Sequence, residues 1–236
     1  MFMLFKKTLG GFVLLFDIGA NRGDAVAAAL NKGFSKIIAV EPAPRVFAEL
    51  VRNYIYEPRV IPLRFAVSDK NNERVTFYEA EENGLSTLNR DWLTAENMPY
   101  AGKRFREIQA NTITLDNLVT QYGIPTLIKI DVEGAEWQVF HGMTKRYGTL
   151  AFEWTFETIA EHEQQLDYLF TLGYSQVAPQ YITHHLEEPK VWYPLVKRNK
   201  HQLLAWHQET SDAWIEKDWQ KAGLRPTADV GMLWVR

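Results

Sequence analysis

The chain has 236 residues, 46% hydrophobic and 23% charged, a composition of folded globular proteins and not of disordered or fibrous ones. That length suits one large domain with a sizeable core, and a single domain is expected. A net charge of −3 gives no overall attraction to nucleic acid or an anionic membrane, and the absence of cysteine excludes a disulfide framework and a thiolate metal site.

The opening MFMLFKKTLGGFVLLF has the outline of a signal peptide, but its apolar run passes straight into Asp17 with no small-residue cleavage pattern. No later run approaches the ~20 apolar residues of a membrane span, so a cytoplasmic protein is expected. Periodicity then predicts a strand at 12–16, a helix at 24–32 closed by Gly33, a strand at 36–40 stopped by Glu41 and Pro42, and a helix at 44–54. The run RVIPLRFAV, 59–67, reads as a third strand, with Pro62 pointing to an edge position or an irregular start.

Residues 70–125 are too many for a simple crossover and predict an insert. It holds strands at 74–79 and 106–114, a helix at 115–122, and between them the polar, aromatic-dotted NGLSTLNRDWLTAENMPYAGK, a type of segment often used as a functional loop or lid. The main sheet resumes with a strand at 126–130, a helix at 134–141, a strand at 149–154, a helix at 159–172 closed by Gly173, and a strand near 174–178. Residues 179–200 read as irregular. A helix capped by Ser211 or Asp212 and a last strand at 230–235 complete the chain. This alternation is that of an α/β protein, a mostly parallel sheet with helices on both faces and an inserted β segment.

The stretch LLFDIGANRGDAVAAAL, 14–30, has the layout of a nucleotide-binding βα corner. A dinucleotide fingerprint needs G-x-G-x-x-G, because the pyrophosphate approaches bare backbone at a helix N-terminus. Here Gly19, Asn21 and Asp24 fill those places, and a side chain at the second with a carboxylate at the third would crowd and repel two phosphates. S-adenosyl-L-methionine carries an adenosine without phosphate and ends in an ammonium beside a sulfonium, so acids are welcome near it. Asp17 is placed to meet the ammonium directly or through water, while Gly19 and Gly23 let the turn pass close to the methionine part. Glu41, at the end of the second strand, is placed to accept from the ribose hydroxyls. Ser68 and Asp69 follow the third strand where the adenine edge is expected. Each acid also has a local reading, Asp17 and Asp69 as turn formers and Glu41 as a surface acid, but the three stand in register at successive strand ends.

LIKIDVEGAEW places Asp131 at the end of the fourth main strand, beside the point where strand order reverses in such sheets. Asp131 also reads as a cap of the following helix, with Glu133 and Glu136 favoured by its dipole. Taken together, D-I-G-A-N-R-G at 17–23, E-P at Glu41 and Pro42, A-V-S-D at 66–69, T-L-D-N-L at 114–118 and K-I-D-V-E-G-A-E at 129–136 resemble the FkbM family of S-adenosylmethionine-dependent methyltransferases over residues 12–178. The resemblance implies a Rossmann-like class I methyltransferase fold with a seven-stranded sheet, and O-methylation of a hydroxyl on a sugar, glycan or secondary metabolite. It also matches Glu153 in LAFEWTF to an acid carried after the fifth strand. Asp131 is the first candidate for the base or acceptor-orienting group and Glu153 the second.

His184 and His185 are candidates on titration grounds alone. No cluster shows convincing metal-ligand spacing, so no metal is assigned. Of eight tryptophans, Trp92 and Trp192 with Tyr193 invite sugar stacking, whereas Trp137, Trp154, Trp214 and Trp219 sit on regular elements and read as core. Two alternatives stay open: a noncatalytic module retaining the fold as a binding or scaffold subunit, and, less favoured, an RNA methyltransferase suggested by the basic, aromatic KVWYPLVKRNKH. NMPY, 97–100, resembles a base-methyltransferase motif but follows a polar segment instead of a buried strand.

Overall fold

The computed structural model describes residues 13–98, 100–155, 158–181, 186–195 and 230–236. The helix expected from 211 or 212, with Trp214 and Trp219, and the pair His184 and His185 lie outside the described residues.

Largely apolar runs of four to seven residues, too short for buried helices, supply the centre of the main sheet: β1 (Leu14–Ile18), β2 (Lys36–Val40), β7 (Leu127–Ile130) and β8 (Thr149–Thr155). The remaining strands are β3 (Val60–Leu63), β9 (Gln176–Tyr181), the two-residue β10 (Tyr193–Pro194) and β11 (Val230–Val235). The sheet order is β10-β9-β11-β8-β7-β1-β2-β3, with β11 antiparallel to both neighbours. Without β10 these are the seven strands expected. Their order is that of the doubly wound dinucleotide fold with one antiparallel strand set between the fifth and the sixth. Pro62 lies on β3, an edge strand, where its missing N–H costs no ladder bond.

Side-chain alternation splits the sheet into two buried faces. Leu14, Phe16 and Ile18 join one cluster with Leu118 of α4 (Leu115–Tyr122), Phe140 of α5 (Glu136–His141) and Leu169 of α6 (Ile159–Thr171). Leu15 and Ile37 join the other, against Val26 and Ala29 of α1 (Asp24–Asn31) and Leu50 of α2 (Pro44–Tyr54). Helices therefore cover both faces, as expected. The helix starts follow local chemistry: Pro44 opens α2, and the Thr114 hydroxyl caps α4 by accepting from Asn117 N–H at 3.2 Å.

The run 59–67 is two strands, not one. After β3 the chain leaves the main sheet, and β4 (Ala66–Val67) pairs with β6 (Phe105–Ile113), which pairs antiparallel with β5 (Arg74–Ala80). A one-turn helix, α3 (Asp91–Thr94), lies between β5 and β6. The stretch 179–200 is also less irregular than expected, since Pro179 lies within β9 and Tyr193–Pro194 pairs with it. No helix among the described residues is long and apolar enough to cross a membrane.

Candidate active site

The turn after β1 is shaped by close backbone approach. Gly19 has φ 76°, and a Cβ there would lie 1.8 Å from the Asp131 carbonyl oxygen, so only glycine fits. The Gly19 and Ala20 N–H groups both donate to Val40 O, at 3.0 and 2.9 Å. Gly23, φ 98°, starts α1 against the Tyr54 ring, and the Tyr54 hydroxyl donates to Gly23 O at 2.5 Å. Glu41 binds this turn to the end of β2: its carboxylate accepts from Asn21 N–H at 3.0 Å and from Ala43 N–H at 2.9 Å. Burial pushes Glu41 up to about 7, against the pull of those two N–H groups. Each carboxylate oxygen retains a second lone pair for another donor.

Register brings the acids together. Asp17 on β1 is opposite Lys129 on β7. Because Ile130 on β7 is opposite Phe152 on β8, the next residues, Asp131 just past β7 and Glu153 within β8, come side by side. Lys129 Nζ lies 3.4 Å from Asp17 Oδ1 and 3.1 Å from Asp131 Oδ2. Burial disfavours the Lys129 charge, but the Asp131 and Asp17 carboxylates outweigh it and hold the amine above its ordinary range. Asp17 is wholly buried and raised by that burial, with Lys129 opposing.

A solvent-open cleft with a cavity volume of about 120 Å³ runs along these strand ends. Gly19, Asn21, Glu41, Pro42 and Asp131 line it, with Asp24, Lys129 and Glu133 also on the wall. Phe65, Ala66 and Val67 form an apolar side with Phe77 and Leu88 of the insert, which is thus part of the wall. Asp17 stands behind the wall and meets it through Lys129, and Gly23 and Glu153 are likewise outside the lining. Ser68 and Asp69 do not line it: Ser68 is buried with its hydroxyl donating to Asp69 Oδ1 at 3.0 Å, and Asp69 is exposed.

Asp131 is not the cap of α5, whose N-cap is Ala135 without a side-chain bond. Asp131 instead faces Lys129 and a carboxylate group of three. Ligand oxygens of Asp131, Glu133 and Glu153 lie within 4.8 Å of one another. Glu133, at φ 58°, accepts from Trp92 Nε1–H at 3.1 Å, and Glu136 accepts from Val132 N–H at 3.2 Å. Trp92 is 1% exposed and packs on Gly134, so it is not a surface for sugar stacking. Trp154 is core as expected, and Trp192 is covered by the Arg236 guanidinium at 4.0 Å. Lys129 had no assigned role in the sequence and Glu133 only that of an acid favoured by a helix dipole, although a lysine inside a buried apolar strand is itself a signal of a charge partner.

The curated relative named hexuronic acid methyltransferase AglP, from Haloferax volcanii, is 25% identical over 190 residues, 79% of this chain and 66% of that protein, so the match spans just under two thirds of it. Among solved structures, an S-adenosylmethionine dependent methyltransferase from Mesorhizobium loti aligns at TM-score 0.45 and 10% identity, covering 96% of this chain and 91% of that one. Precorrin-6y C5,15-methyltransferase from Geobacter metallireducens aligns at 0.41 and 10%, covering 95% and 79%. The model of the methyltransferase FkbM domain matches residues 17–175, more than half of the sequence and all the motifs around the cleft. With its doubly wound sheet and acid-lined cleft, the chain belongs to the FkbM methyltransferase family.

Proposed function

We propose that the protein transfers the methyl group of S-adenosyl-L-methionine to a hydroxyl oxygen of a sugar, glycan or similar small polyhydroxylated acceptor. The observation that carries this reading is the acidic lining of the cleft wall, where Asp24, Glu41 and Asp131 stand against one amine, Lys129. Such a wall attracts a ligand bearing an ammonium and a sulfonium and repels a diphosphate. The tight Gly19 turn and the spare lone pairs of Glu41 suit an adenosine held by its ribose, beside the apolar side made by Phe65, Val67 and Phe77.

When bound, S-adenosyl-L-methionine supplies a methyl group already activated by positive sulfur. The protein then needs to position an acceptor oxygen, exclude water and receive a proton. Asp131 lines the cleft, where its carboxylate would hold the acceptor hydroxyl and take up its proton. Glu153, behind the wall on the neighbouring strand, brings a second carboxyl oxygen within 4.8 Å of Asp131. Lys129 fixes Asp131 by the 3.1 Å ion pair and balances Asp17. The sugar character of the acceptor is supported by the hexuronic acid methyltransferase relative.

Calorimetry with S-adenosyl-L-methionine, followed by turnover across a panel of glycans and hydroxylated metabolites, tests the reading. Binding with methyl transfer to oxygen supports it. Absence of heat and of a thermal shift favours a scaffold role, and transfer to RNA alone overturns the acceptor class.

A further inference from the structure

We propose that Asp131, Glu133 and Glu153 form a binding site for one hard divalent cation, of the magnesium or manganese type, at the acceptor end of the cleft. The three residues come from β8 and the turn after β7, and each offers an oxygen within 4.8 Å of the others. A second, independent observation points to a ligand: Glu153 is 8% exposed, and its Oε2 is buried without a hydrogen-bond partner. Uncompensated buried carboxylates are costly, and neutralisation by a cation or a proton relieves that cost.

Lys129 does not suffice. Its amine is shared between Asp131 and Asp17, leaving Glu133 and Glu153 to repel each other and Asp131. The backbone also commits to the arrangement, since Glu133 holds the left-handed φ of 58° that side chains seldom adopt, and Trp92 clamps one of its oxygens.

The donor set selects the cation. Three carboxylates without thiolate or imidazole suit oxygen-preferring ions. Neighbouring ligands on an octahedral magnesium ion stand about 3 Å apart, so small side-chain rotations close the group to that spacing. Three carboxylates leave coordination positions open toward the cleft, where Asp131 and Glu133 lie on the wall. Those positions suit a hydroxyl and a neighbouring oxygen of the acceptor, whose proton the cation would loosen. This use of the site rests on the methyltransferase reading, whereas binding of the cation does not.

The test titrates Mn²⁺ into the full-length protein freed of nucleotide and metal, following free Mn²⁺ by paramagnetic resonance and the Trp92 indole N–H by NMR. One Mn²⁺ per chain, displaced by Mg²⁺ and broadening the Trp92 signal, is expected. Glu153→Gln and, separately, Glu133→Gln should each weaken binding at least about tenfold, while Glu107→Gln, an exposed acid on β6, leaves it unchanged. No binding at millimolar Mn²⁺, binding indifferent to both substitutions, or binding that spares the Trp92 signal overturns the site and assigns the charge relief to a shared proton. If the variants do not fold, the Trp92 broadening in the wild-type protein decides. Calorimetry with S-adenosyl-L-methionine on the same preparation separates the two readings, because failure there with Mn²⁺ bound rejects the methyl donor and leaves the cation site standing.

Discussion

The two ends of the cleft are built from different material. The wall around residues 19–23 and Glu41 is mostly backbone, held by short N–H donations to Val40 O and to the Glu41 carboxylate. The opposite end is side chain, with carboxylates from β8 and the turn after β7 meeting around Lys129 and leaving Glu153 Oε2 without a partner. A backbone wall fixes the shape of a ligand, whereas an under-neutralised carboxylate group stores charge for chemistry. The difference teaches that binding and turnover should respond to separate substitutions.

The largest effect should come from breaking the backbone wall. Gly19→Ala forces a Cβ into the Asp131 carbonyl at 1.8 Å, at φ 76°, with no flexible side chain to give way. A loss of more than about 3 kcal/mol of stability, or of donor affinity altogether, is expected from thermal melts and calorimetry. An alanine variant with wild-type melting and affinity would show that this turn is not the tight wall described.

Next is the charged end. Asp131→Asn keeps the side-chain volume and removes the proton acceptor, so turnover should fall about 10²-fold or more while the donor dissociation constant stays within about threefold. Equal loss of binding and turnover would merge the two ends into one and contradict the division.

Glu41 gives a smaller, pH-coded effect. Its folded value of about 7 lies above the ordinary 4.5, so the folded chain holds the proton more tightly than the unfolded chain. Its contribution to stability is therefore full below about 4.5 and is lost as pH rises through about 7. Ribose hydroxyls prefer the ionised acceptor, so donor affinity should move the other way and weaken as pH falls from 8 to 6. Glu41→Gln should weaken binding about tenfold and flatten that pH dependence in calorimetric titrations. A wild-type profile no steeper than that of the glutamine variant would remove Glu41 from the ribose.

Trp92→Phe should have the least effect, lowering the melting temperature by a few degrees through loss of the Glu133 bond and some packing. Donor affinity should remain at the wild-type value.

The same contrast explains what the sequence disclosed. The Gly19 turn, Glu41 and Asp131 were legible because a backbone-built wall needs glycine and acid at fixed local spacing. The edge position of β3 was one of the two readings that Pro62 offered, and α4 was legible as a short helix at 115–122. The division of 59–67 into β3 and β4 was not, because both pieces are β-prone and the switch of sheet is decided by pairing with the distant β6. The roles of Glu133 and Lys129 emerged only once strand register set Asp17 beside Lys129 and Asp131 beside Glu153. Ser68 and Asp69 follow a strand of the small sheet, and the cleft is reached instead at Phe65, Ala66 and Val67. Trp92, read as a surface aromatic, is inside because the insert folds onto Gly134.

Paired calorimetric titrations of the wild-type protein with S-adenosyl-L-methionine and with NAD bear most directly on the acid-lined cleft. The account predicts one methyl donor bound per chain and no heat from NAD. Heat from NAD with a silent methyl donor would contradict it.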